Sequence, residues 1–216
     1  MKKFLSLGLL LLGAWQTVSA ALYSVGNVNG SGTSLNQTIY DATPSGVSSS
    51  LLVSGENWSL SSLTLTLNVS GGYNGDLYAY LSYNGTLVTL LNRVGTGSGN
   101  AIQSTYGFST SGFNNVTLSD AGTGGNIHSV QTPGSALSYT ADGGSLSSFN
   151  GTDPNGTWTL FFADLSGGNT STLNGWSLDV TAVPEPVNVA LAIFGGLIAT
   201  WTAVRRSKAG QSEAIN

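Results

Sequence analysis

The stretch Leu63-Thr64-Leu65-Thr66-Leu67-Asn68-Val69 alternates strictly between aliphatic and polar side chains. A period of two residues is that of a strand with one face buried and the other wet. The same period recurs further along the chain. Leu77, Ala79 and Leu81 alternate with Tyr78 and Tyr80, and Trp158, Leu160 and Phe162 with Thr159 and Phe161. Trp176, Leu178 and Val180 alternate with Ser177 and Asp179. Ser50–Val53, Val88–Leu91 and Asn115–Leu118 are shorter strand candidates. Between them stand Asn74-Gly75, Asn84-Gly85, Asn150-Gly151, Asn155-Gly156 and Asn174-Gly175, dipeptides suited to the positive φ angles of tight hairpins. No stretch between 22 and 182 carries a helical apolar period of useful length. The expectation is an all-β, antiparallel sandwich. Trp158 and Trp176 share the parity of the aliphatic residues in their strands and are expected as core anchors.

Composition narrows the function. Charged residues make up 7% of 216, about a quarter of the usual share. There is no cysteine, hence no disulfide, thiolate zinc site or cysteine nucleophile, and one histidine excludes a multi-His metal centre. Between residues 21 and 183 a single base, Arg93, stands against eight acids. Such a body does not suit nucleic acid, which needs a basic face.

The other basic residues sit at the two ends. Lys2 and Lys3 precede the apolar run Phe4–Trp15, and Val18-Ser19-Ala20 supplies small residues for cleavage. Residues 1–20 read as a secretory signal peptide. At the other end 187–204 is uncharged and contains one amide, Asn188. At about 1.5 Å per residue it would span roughly 27 Å, enough for a single transmembrane helix. Arg205, Arg206 and Lys208 follow at once and set the topology, holding that end in the cytoplasm and the body outside it. Before the run stand Pro184, Glu185 and Pro186, whose prolines keep the backbone extended and accessible. This order of Pro-Glu-Pro, span and basic cluster, residues 183–208, resembles the PEP-CTERM sorting signal of exported bacterial proteins. The resemblance implies an exosortase as processing partner, an exopolysaccharide-rich matrix as destination and 209–216 as a cytoplasmic tail.

The body carries a second resemblance. Ser148-Phe149-Asn150-Gly151-Thr152-Asp153-Pro154-Asn155-Gly156-Thr157-Trp158-Thr159-Leu160 continues to Asp164, and Thr172-Leu173-Asn174-Gly175-Trp176-Ser177-Leu178 follows. Upstream stand Tyr40-Asp41-Ala42-Thr43-Pro44-Ser45-Gly46-Val47, Tyr73-Asn74-Gly75-Asp76-Leu77 and Leu90-Leu91-Asn92-Arg93. Together these resemble the P, or Homo B, domain of proprotein convertases and bacterial subtilases. The resemblance covers 36–182, preceded by an N-terminal segment 21–35, and implies a jelly-roll sandwich of the galactose-binding-like type. The convertases' catalytic residues lie in a separate upstream domain with no counterpart in this sequence.

For chemistry the sequence offers little. His128 is the sole imidazole base, and a neighbouring Ser129 is not a triad. Calcium is the more credible ligand, held by loop carboxylates and carbonyls. Asp41 and Asp76 fall in the two most ligand-like P-domain motifs, with Asp164 as a third. The function read from the sequence is a non-catalytic, exported adhesive or structural protein of the cell envelope or matrix, not an enzyme. Its alternatives are a carbohydrate-binding module, with Tyr78, Tyr80 or Trp58 stacking on sugars, and an accessory domain assisting a secreted protease.

Overall fold

The computed structural model describes residues 21–27, 35–55, 59–97, 105–183, 194–202 and 205. Among these residues ten strands run in order: β1 Ala21–Asn27, β2 Gln37–Ile39, β3 Thr43–Val53, β4 Ser59–Gly71, β5 Leu77–Tyr83, β6 Thr86–Asn92, β7 Phe113–Leu118, β8 Ser138–Tyr139, β9 Gly156–Asp164 and β10 Ser171–Val183. They form a sandwich of two sheets. The first is ordered β1-β10-β4-β7-β8, with β2 also on β10, and the second β3-β9-β5-β6. The fold class is all-β. Between these strands pairing is antiparallel except for β7 and β8, which run parallel over Thr117↔Ser138 and Leu118↔Tyr139.

The alternating runs become the inner faces. Leu63, Leu65, Leu67 and Val69 of β4 are buried, as are Leu77, Ala79 and Leu81 of β5. Trp158, Leu160 and Phe162 of β9 meet Trp176, Leu178 and Val180 of β10 in one core. Both buried indoles find acceptors, as buried Trp N–H groups must. Trp158 Nε1 donates to the Pro154 carbonyl at 3.0 Å, and Trp176 Nε1 donates across the sandwich to Ser49 Oγ at 2.9 Å. Tyr83 stacks on Trp158 with centroids 4.0 Å apart.

The Asn-Gly dipeptides diverge. Asn84-Gly85 joins β5 to β6 with φ of 48° and 80°, the positive pair of a tight two-residue hairpin. Asn74-Gly75 is instead the start of a buried 3₁₀ turn, Asn74–Asp76. Asn174-Gly175 lies inside β10 at a register shift between Leu173 and Gly175. Asn155-Gly156 opens β9, and Asn150-Gly151 follows a 3₁₀ turn at Leu146–Phe149. The dipeptide fixes a local φ preference, and the surrounding sheet decides what is made of it.

Residues 21–27, in the N-terminal segment that precedes the P-domain-like stretch, are strand β1. It pairs with β10 from Ala21↔Ala182 to Asn27↔Trp176. The expected signal peptide 1–20, Trp58, and Pro184, Glu185, Pro186, Arg206 and Lys208 lie outside the described residues. The expected span 187–204 does so in part. Its described portion, 194–202, is an exposed helix, with the Arg205 guanidinium 4.2 Å from the centre of the Trp201 ring. Among the described residues no helix is long and apolar enough to cross a membrane.

Candidate functional site

Three strand ends meet at one pole of the four-stranded sheet. Asp164 is the last residue of β9, and it registers with Leu77 of β5 on one side and Thr43 of β3 on the other. Asp76 immediately precedes β5, and Asp41 stands two residues before β3. The topology therefore brings the three aspartates together, although they are far apart in the chain.

Local packing fixes each one. The turn at Asn74–Asp76 is wedged under the segment 106–112: the Asn74 amide donates to the Thr110 carbonyl at 2.8 Å and the Gly75 amide to the Phe108 carbonyl at 2.9 Å. A Cβ at Gly75 would stand 2.5 Å from the Tyr106 carbonyl oxygen and 2.7 Å from the Phe108 nitrogen, so no other residue fits. Asp164 Oδ1 accepts the Ser166 amide at 3.1 Å, and Asp41 Oδ1 accepts the Gly168 amide at 2.9 Å.

Two carboxylates are left in an unusual state. Asp76 is 4% exposed and Asp164 is fully buried. The Oδ2 atom of each is buried with no hydrogen-bond partner among the described residues. Burial pushes the Asp76 carboxyl above the ordinary range; the charges of Asp164 and Asp41 push the same way, against the pull of Arg93. Burial also raises Asp164, opposed by the amides of Ser166 and Ala42 and reinforced by Asp41. Orphaned anionic oxygens in a dry site are costly unless a cation or a proton meets them. Among the described residues no group of three or more His, Cys, Asp or Glu is arranged to hold a metal ion. The Asp76 and Asp164 carboxylates are two oxygen donors, so a cation here would have to complete its shell with carbonyls and water. Asp41 Oδ1 is already committed to Gly168.

His128 sits in a second polar cluster. Its Nδ1 lies 2.8 Å from Asp142 Oδ2 and its Nε2 lies 2.9 Å from the Thr96 carbonyl oxygen. Asp142 Oδ2 also accepts the Asn92 amide at 2.8 Å. The atom that would take a proton from a nucleophile is thus turned to a backbone carbonyl, not to a serine hydroxyl. Neither His–Asp proximity nor the Thr96 contact was legible in the sequence, because only the sheet topology joins them. A shallow cleft of about 450 Å³ is lined by Tyr83, Asn84, Asp153, Asn155, Gly156 and Thr157. There the Tyr83 hydroxyl lies 2.6 and 2.7 Å from the Asp153 and Asn155 carbonyl oxygens, which share its one hydrogen, and Asp153 is the single acid.

No family model and no curated protein matches the sequence. Among solved structures, the complex of an Aeromonas sobria serine protease with its chaperone is similar at 18% identity and a TM-score of 0.47, over 76% of this chain and 28% of that one. A structure of the Aeromonas sobria serine protease is similar at 16% identity and a TM-score of 0.43, over 76% of this chain and 27% of that one. The chain thus spans little more than a quarter of the chains that it matches, and likeness at this level transfers no activity.

Proposed function

We propose that the chain is a non-catalytic, exported β-sandwich, sorted through a PEP-CTERM tail and working in an exopolysaccharide-rich envelope or matrix. One observation carries this reading: the order of Pro184-Glu185-Pro186, the apolar run 187–204, and Arg205, Arg206 and Lys208. The prolines leave the backbone unpaired for a membrane protease of the exosortase type, and the basic cluster holds its own end in the cytoplasm. The pairing of Ala21 with Ala182 is consistent with it. A leader ending at 20 and a tail beginning at 183 depart from the same pole, so both serve one membrane while the body folds on its outer side. In this reading the sandwich is a jelly roll related to the P domain, and calcium neutralises Asp76 and Asp164, with Asp41 alongside. The orphaned Oδ2 atoms support the ion.

The sorting test is an immunoblot of membrane and extracellular fractions, with and without the host exosortase. The expected product is a body trimmed near 183–186. Alanines in place of Pro184-Glu185-Pro186 should leave export intact but trap the longer form in the membrane. A tail retained in both strains reduces 187–204 to a plain anchor. The calcium test is thermal melting after chelation and after adding back millimolar calcium, and an unchanged midpoint removes the ion.

A further inference from the structure

The two outer faces of the sandwich differ in chemistry. On the six-stranded sheet the outward positions of β4 are Thr64, Thr66 and Asn68, beside Asp179 of β10 and Thr117 of β7. That face is polar, with a Thr66–Thr117 hydroxyl pair at 3.1 Å. The four-stranded sheet carries rings instead. Tyr80 of β5 registers with Phe161 of β9, and the two stack with centroids 4.7 Å apart and planes 16° from parallel. Tyr78 meets Tyr80 edge to face at 6.2 Å. All three are partly exposed. The platform is built in: the Phe161 ring lies against Gly46 of β3, on the spot that a Cβ there would fill, and Gly46 has a φ of 58°.

Around the rings stand hydroxyls. Ser48 flanks Phe161, Thr89 flanks Tyr80, and Ser50 and Thr159 lie 3.3 Å apart between their strands. No Asp, Glu, Lys or Arg occupies an outward position among the paired residues of this sheet. That combination selects an occupant. Nucleic acid and acidic glycans need a base beside the rings. The one Lys or Arg of the body, Arg93, directs its Nε to the Gly75 carbonyl at 3.3 Å, and His128 is held by Asp142 and the Thr96 carbonyl. A stable protein partner would want a contiguous apolar centre. Here hydroxyl positions separate the rings from the exposed Leu52 and Leu87. A neutral sugar chain matches both elements, with C–H faces for the rings and hydroxyls for Ser and Thr.

We propose that the outer face of the four-stranded sheet binds a neutral polysaccharide, with the Tyr80–Phe161 stack as its platform and Tyr78 at its flank. The proposal rests on the reading of the chain as an extracellular protein, but its test does not depend on the tail. The full chain, purified in detergent micelles, is sedimented with insoluble cellulose, chitin and β-1,3-glucan, and with cross-linked polygalacturonate as the acidic counterpart. Retention on at least one neutral polymer, unaffected by salt, is expected. Phe161→Leu keeps apolar cover over Gly46 but removes the ring, and should weaken binding about tenfold or more, as loss of an aromatic anchor does. Tyr80→Ser should do the same, Tyr80→Phe should bind like the wild type, and Thr64→Ala on the opposite face should change nothing. Retention on none of the three neutral polymers overturns the proposal. So does equal retention of Phe161→Leu, or a preference for polygalacturonate that salt abolishes.

Discussion

Asp164 ends β9 with one oxygen bonded to the Ser166 amide and the other bonded to nothing among the described residues. Its pKa and that of Asp76 are raised, burial first, so each carboxyl holds its proton more tightly in the folded than in the unfolded state. Their contribution is therefore fully favourable below the ordinary carboxylate value and is lost as pH rises through the raised ones. Asp164→Asn should accordingly stabilise the calcium-free protein at neutral pH. The gain should vanish near pH 4 and reverse when calcium is present, in melting curves at two pH values with and without the ion. His128 has the same sign for a different reason. Both of its ring nitrogens face acceptors, which calls for two N–H groups and hence the imidazolium. Burial alone would lower its pKa, but the Asp142 carboxylate and the Thr96 carbonyl outweigh burial and raise it. The clamp is whole below the unfolded histidine value and lost as pH rises through the folded one. The stability difference between wild type and His128→Phe should therefore shrink between pH 6 and pH 9. The sequence singled out the three aspartates because they sit in recognisable motifs. It could not expose the clamp, whose members are 14 and 32 residues apart and meet through packing alone.

Among the elements, β9 and β10 hold the core together. Trp158 is fully buried between Tyr83 and Phe149 and donates to the Pro154 carbonyl. Trp158→Ala should cost roughly 3–5 kcal/mol by denaturant unfolding, the range for a large ring lost from a core. The inner faces of β4, β5, β9 and β10 were legible because alternation follows directly from a half-buried strand. β2 and β8 were not, since three and two residues hold no period. β1 is seven residues, Ala21–Asn27, and earns its place through the register with β10 rather than through its own pattern. It covers an edge that would otherwise present unpaired backbone groups. Deleting 21–27 should lower the melting midpoint and drive association, visible as a concentration-dependent shift in size-exclusion elution.

For the molecule as a whole, charge and connectivity say more than any pocket. Eight acids stand against one arginine and one histidine between 21 and 183, so the body is short of positive charge. Arg93 sits at a φ of 52°, an uncommon backbone state for a non-glycine residue, and its charge is the one that draws the Asp76 pKa down. The all-β class could be read in advance from the strand periods; the placing of Ala21 beside Ala182 at one edge could not, because it depends on a strand that the sequence left unassigned. That edge has a mechanical consequence. β10 leads into the tail and lies between β1 and β4, antiparallel to both, matched at seven positions on one side and twelve on the other. Tension drawn through residue 183, with the opposite sheet held fast by a sugar polymer, runs along the axis of β10. The hydrogen bonds on its two flanks then share the load in shear instead of opening one after another like a zip, and a body tethered in this way yields late when it is pulled.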